Sequence, residues 1–131
     1  MDGNKMVNGK ISDFNEMRVW QMSMKLAESI YRLSNNFPKS EMYGLTSQLR
    51  RCAVSIPSNI AEGFSRKSTK EFIQFLYISL GSCSECETQL IIVKRVGYLE
   101  SEREIVISLV SIRKMIYALI ASLDKRKTNG K

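Results

Sequence analysis

Residues 43–63 read Y-G-L-T-S-Q-L-R-R-C-A-V-S-I-P-S-N-I-A-E-G. Leu45, Leu49, Ala53, Ile56, Ile60 and, one residue on, Phe64 recur at spacings of three and four, which is one face of an α-helix. Pro57 sits inside that helix and lacks the amide that would bond the Ala53 carbonyl, so the spacing predicts a kink there. Ser55 and Ser58 flank the proline, and hydroxyls at such positions bond freed helix carbonyls. Arg51, Ser55, Ser58 and Glu62 line up on a second face and form a polar ridge with Arg50 and Asn59. Two readings of the ridge stand: a satisfied network at a helix or subunit contact, or a surface for nucleic acid. The stretch announces a packing helix and no chemical activity.

Working outward, the segment before it carries two apolar stripes. Met17, Trp20, Met24, Ala27 and Tyr31 form one; Val19, Ser23, Leu26, Ile30, Leu33 and Phe37 form the other. Ser12 or Asp13 supplies a cap, with Glu16 in capping-box position, and Asn35-Asn36-Phe37-Pro38 ends the helix. Ser40, or Lys39 with it, opens the second helix, and Glu41 places a carboxylate in the positive first turn. Gly44 reads as a weak point near the start, and Gly63 as a C-terminal glycine of left-handed geometry. Ser68 or Thr69 caps the third helix, whose heptad seam is Phe72, Leu76, Ser79, Cys83, Cys86, Leu90 and Val93. Gly81, Ser82 and Ser84 lie beside the seam and leave room for a close neighbour or a large side chain such as Trp20. Gly97 ends this helix, and Ser101 with Glu104 starts the next. There Ile105, Leu109, Ile112, Ile116, Leu119 and Leu123 keep coiled-coil-like spacing, widened by Val106, Val110, Tyr117 and Ile120. Four helices with short connections predict an all-α, antiparallel up-down-up-down four-helix bundle over residues 13–124. Residues 1–12 read as a flexible N-terminal segment, and residues 125–131 as a basic flexible tail.

A chain of 131 residues with 44% apolar composition supports one domain with one core. No signal-peptide core and no long uninterrupted apolar run occurs, so a cytoplasmic protein without a membrane span is expected. Cys52, Cys83 and Cys86 are an odd set of thiols, read as reduced. The CxxC spacing of Cys83 and Cys86 falls mid-helix on the apolar seam. A redox cysteine would open a helix and a zinc site would need further ligands, so core packing is the reading. The chain has no histidine, the commonest general base near neutral pH, and no phosphate-binding glycine loop. No enzyme, metal or cofactor is expected.

The 20 basic and 13 acidic residues give a net charge of +7, which favours polyanionic partners and also serves solubility. Placed on an up-down bundle, the excess lies at the waist and at the end holding both chain termini. At the other end Lys39, Lys94, Arg95 and Arg103 are balanced by Glu41, Glu100, Glu102 and Glu104. Candidate nucleic-acid contacts are therefore Arg50, Arg51, Arg66, Lys67, Lys70, Arg113, Lys114, Lys125, Arg126 and Lys127. The ligand expected is structured RNA or DNA; the alternative is a structural or protein-partner scaffold whose charge keeps it soluble.

G-L-T-S-Q-L-R-R and S-I-P-S-N-I-A-E-G, taken with Tyr31, Phe37-Pro38, Glu41 and Gly81-Ser82, resemble the small four-helix-bundle proteins of the 23S rRNA intervening-sequence family. The likeness runs from about Asp13 to Leu123. Cys52 departs from the alanine usual at its place. The resemblance implies a ring-like homopentamer without enzymatic activity. It also implies kinship with the accessory protein of diversity-generating retroelements, and so nucleic acid and a reverse transcriptase as partners. Self-association follows independently from the apolar residues that exceed one face on the first and last helices, because soluble chains rarely leave such patches bare.

Overall fold

The computed structural model describes residues 6–7 and 10–130, with side chains over 11–125. The expectations for residues 1–5 and for the side chains of Arg126 and Lys127 lie outside the described residues. Ahead of the bundle, β1 (Met6–Val7) pairs antiparallel with β2 (Lys10–Ile11), a short ladder where the sequence has no periodicity. A 3-10 turn at Phe14–Glu16 follows, and Asp13 caps it by accepting from the Asn15 amide. Glu16 is buried, and its carboxylate accepts from both the amide and the hydroxyl of Ser12.

Helix α1 (Arg18–Ser34) buries Val19, Ser23, Leu26 and Ile30, the second stripe of the sequence. The first stripe divides. Met17 and Ala27 are buried, Trp20 and Met24 half-buried, and Tyr31 exposed. Helix α2 (Leu45–Phe64) runs through Pro57. Polar groups gather around that turn: Ser79 Oγ donates to the Ile56 carbonyl at 2.9 Å, and Asn59 Nδ2 donates to the Ser55 carbonyl at 2.8 Å. The hydroxyl on the Ile56 carbonyl comes from the neighbouring helix. Helix α3 (Thr69–Arg95) buries Leu76, Ser79, Cys83, Cys86, Leu90 and Val93, the heptad seam, with Phe72 half-buried. Ser68 caps it, its hydroxyl accepting from the Glu71 amide and donating to the Glu71 carboxylate, and Gly97 closes it at φ +92°. Helix α4 (Arg103–Gly130) buries Leu109, Ile112, Ile116, Ile120 and Leu123. Its backbone stays helical past Asp124.

The helices pack in cyclic order: α1 on α2, α2 on α3, α3 on α4, and α4 back on α1. The result is an all-α four-helix bundle around one core. Three glycine expectations are corrected. Gly44 is a break, since it separates a 3-10 turn at Lys39–Glu41 from α2. The open α2 start is served by Glu41, which accepts from the Leu45 amide and from the Tyr98 hydroxyl. Gly63 lies inside α2, not in left-handed geometry. A Cβ there would stand 2.7 Å from Phe75 Cβ and 2.9 Å from Phe72 Cδ1, so this glycine lets α3 approach. Gly81, by contrast, faces open space, and Trp20 packs on Phe14 rather than among the small residues of α3.

Candidate nucleic-acid interface

The ten basic candidates separate by what their side chains touch. Arg50 is turned inward onto the end of α1. Its Nε donates to Ser34 Oγ at 2.7 Å, one terminal nitrogen reaches Asn35 Oδ1 at 3.0 Å, and the guanidinium lies 4.6 Å from the Tyr31 ring centre. A cation at the last turn of α1 sits where the helix dipole is negative, so Arg50 is chiefly a clasp between α1 and α2. Arg113 is likewise engaged, pairing with Glu87 across α3 and α4 at 2.9 Å in a partly shielded site. Arg51 and Lys114 are exposed on α2 and α4.

At the α2–α3 turn, Arg66, Lys67 and Lys70 are all exposed. Arg66 pairs with Glu62 at 2.8 Å, and its guanidinium lies 4.8 Å from the Phe75 ring centre, a stacked pose that fixes its direction. Lys67 and Lys70 make no ion pair among the described residues. In a four-helix cycle of alternating direction, this turn shares a bundle end with the end of α4, where Lys125 is exposed. The structure thus brings Arg66, Lys67, Lys70 and Lys125 to one end and leaves Arg51 and Lys114 along the waist. Sequence reasoning missed Phe75 under Arg66 and the Ser34–Asn35 acceptors of Arg50. Neither pairing has a spacing signal, because each joins two different helices.

The polar ridge of α2 has split partners. Ser55 hydrogen-bonds Ser82 at 2.8 Å and receives Asn59, facing α3, whereas Arg51, Ser58 and Glu62 are exposed. The three thiols are free and buried. Burial pushes Cys83 up to about 11, and the hydrogen bond to Cys52 together with burial raises Cys86. No cluster of three or more metal-ligating side chains occurs among the described residues.

Two of the depressions along α1 are described by their linings. One, of about 590 Å³, lies between α1 and α2 over Trp20, Met24, Tyr31, Val54, Pro57 and Ala61, with Glu28 and Arg32 on its border. The other, of about 740 Å³, lies where α1 meets the α3–α4 turn and is bordered by Arg32, Glu100, Arg103 and Glu104. Outside the core, α4 leaves Ile107, Val110 and Tyr117 exposed. It is also the one helix among the described residues long and apolar enough to cross a membrane, although its other face is core.

Residues 15–118 match the family described as 23S rRNA-intervening sequence protein. No curated protein matches the chain. Among solved structures, it is similar to a protein with unknown function from the S23 ribosomal protein family of Bacteroides thetaiotaomicron VPI-5482. The two are 27% identical over 78% of this chain and 97% of that one, with a TM-score of 0.69.

Proposed function

Given that the chain belongs to the 23S rRNA-intervening sequence protein family, we propose that it is a non-enzymatic, self-associating bundle that offers a basic end to structured RNA or DNA. The observation that carries this reading is the exposed cationic group at the α2–α3 turn, Arg66, Lys67 and Lys70, sharing an end with Lys125. Lysines that make no ion pair are the side chains that exchange small counterions for phosphates, and binding of that kind weakens steeply with salt. Arg66 adds a directed guanidinium, already oriented by Phe75 and able to take a phosphate bidentately once it leaves Glu62. No base-reading element accompanies the cluster, so shape and charge, not sequence, would select the ligand.

The test is a titration of duplex DNA and structured RNA at several salt concentrations. Changing Lys67, Lys70 and Lys125 to glutamine should lower affinity. The slope of log K against log salt should fall by about 0.9 for each duplex phosphate that the variant no longer neutralises. An unchanged slope with retained binding would move the interface to Arg51 and Lys114. Absence of salt-dependent binding in the parent protein would leave the scaffold reading. That second reading is favoured by the inward use of Arg50 and Arg113 and by the apolar surface of α1, α2 and α4.

A further inference from the structure

We propose that Cys52 of α2 and Cys86 of α3 form an oxidation site, a facing thiol pair that a small peroxide converts into a disulfide tying the two helices together. The register of the helix pair brings the sulfurs into contact. As α3 advances from Ser79 to Ser82, its hydrogen-bond partner on α2 retreats from Ile56 to Ser55, so the helices run antiparallel. The Ser55 and Ser82 hydroxyls meet at 2.8 Å. Cys52 lies three residues before Ser55 and Cys86 four residues after Ser82, which makes them the next couple to face each other. A contact beyond them fixes the same alignment: Cys52 Sγ donates to Gln89 Oε1 at 3.8 Å, and Gln89 stands three residues past Cys86 on one row of α3. Cys86 thus sits between two groups that α2 touches, and its thiol shares a hydrogen bond with Cys52. A disulfide needs Cα atoms about 4.4–6.8 Å apart. Small residues bring the backbones close here, with Ser55, Ser79 and Ser82 in the contact and Gly63 leaving no room for a Cβ.

The two sulfurs have different tasks. Gln89, the neighbour of Cys52, is half-buried, so that sulfur lies at the rim of the helix contact, whereas Cys86 is fully enclosed. The hydrogen bond with Cys86 lowers the Cys52 thiol, and the same bond together with burial raises Cys86. Cys52 therefore attacks and Cys86 resolves. The Gln89 amide carries a donor as well as its acceptor, so a half turn serves the thiolate. That thiolate takes one oxygen of hydrogen peroxide, the O–O bond breaks, and the departing hydroxide collects the Cys52 proton as water. The Cys86 sulfur then attacks the sulfenic sulfur, the S–S bond forms, the S–O bond breaks, and a second water leaves with the Cys86 proton. Two thiols lose two electrons, and one peroxide is reduced to two waters. Cys52 is only 2% exposed, which admits an oxidant of peroxide size and keeps out a tripeptide disulfide. Cys83, raised to about 11 by burial, stands off the Ser82–Cys86–Gln89 row and stays reduced.

Treating the full, folded chain with millimolar hydrogen peroxide at neutral pH, followed by peptide mapping without reduction, tests the pair. The parent should become two hydrogens lighter, fall from three titratable thiols to one, and yield a Cys52 peptide joined to the peptide of Cys86. The oxidised chain should melt roughly 10 °C above the reduced one, because the cross-link restricts the unfolded state. Cys83→Ala should still form the bond, and Cys52→Ala and Cys86→Ala should not. Fragmentation of the linked peptide assigns the partner in the parent even where a variant fails to fold. A bond from Cys52 to Cys83, or from Cys83 to Cys86, would overturn the pairing. Oxidation that appears only after denaturant is added, or that stops at a sulfinic acid, would overturn it too. An unchanged or lower midpoint after oxidation would refute a bond that fits the folded helix pair. A mixed disulfide formed at Cys52 by oxidised glutathione in the folded chain would overturn the restriction to small peroxides.

Discussion

Adding one methyl group at Gly63 and at Gly81 should move stability in opposite directions. Both glycines lie inside helices, and alanine is favoured over glycine there by about 1 kcal/mol. At Gly81 a Cβ meets nothing within 4 Å, so Gly81→Ala should gain about 0.5–1 kcal/mol. At Gly63 the same atom would stand 2.7 Å from Phe75 Cβ and 3.2 Å from the Phe72 carbonyl oxygen. Neither is the free end of a flexible side chain, so relief requires α2 and α3 to part. Overpacking of this kind costs about 1–3 kcal/mol, and after subtracting the helix-propensity gain Gly63→Ala should lose up to about 2 kcal/mol. Thermal and urea unfolding followed by circular dichroism at one fixed protein concentration reads both changes. For a chain this size each kcal/mol moves the midpoint by about 4 °C. Equal stabilisation by both substitutions would refute the close approach of α2 and α3.

Arg50→Met should cost about 1 kcal/mol of stability, because it frees Ser34 and Asn35 from a half-buried clasp. It should change polyanion affinity less than Lys67→Gln does, and the reverse order in a binding titration would return Arg50 to the interface. Tyr98 donates to Glu41, a bond that raises its hydroxyl above the ordinary 10.0. The contribution is therefore complete below pH 10 and lost as pH rises through the higher folded value, so Tyr98→Phe should flatten the alkaline arm of the stability profile. With Cys83 and Cys86 buried and raised, a thiol reagent at pH 8 should label them only after denaturant is added. Fast labelling of either in the native state would contradict their placement in the core.

The elements legible in the sequence are those whose partners lie along the same helix. The α3 seam from Leu76 to Val93, the Ser68–Glu71 box and the closing Gly97 need only spacing, capping chemistry and the tolerance of glycine for positive φ. Gly63 escapes such a reading because its reason for being glycine is Phe75 on another helix. Gly44 looks tolerable within α2 by propensity alone, yet Glu41 reaches past it to serve the Leu45 amide, so the chain breaks there at little cost. The site divides in the same way. Lys67 and Lys70 follow from a short polar turn between two apolar helices. Arg50 and Arg113 resist sorting, since their acceptors stand 16 and 26 residues away. Charge on a helix says that a side chain is polar; only the neighbouring helix says whether it remains available.

The hydroxyls between α2 and α3 bear on the register of that helix pair. Apolar seams with a repeating period can slide by a turn and still find grease opposite grease. Ser79 on the Ile56 carbonyl and Ser55 on Ser82 cannot, because a slipped pairing would bury each group without its partner. One register of the α2–α3 hairpin is thereby singled out, and the glycine contact at Gly63 tightens the same pair. This hairpin, local in sequence and joined by a short turn, is expected to be the most stable unit of the bundle, with α1 and α4 packed on it. Amide exchange in the native state should accordingly be slowest around Ile56 and Ser79 and faster in α1 and α4, whose attachment can open without dissolving it.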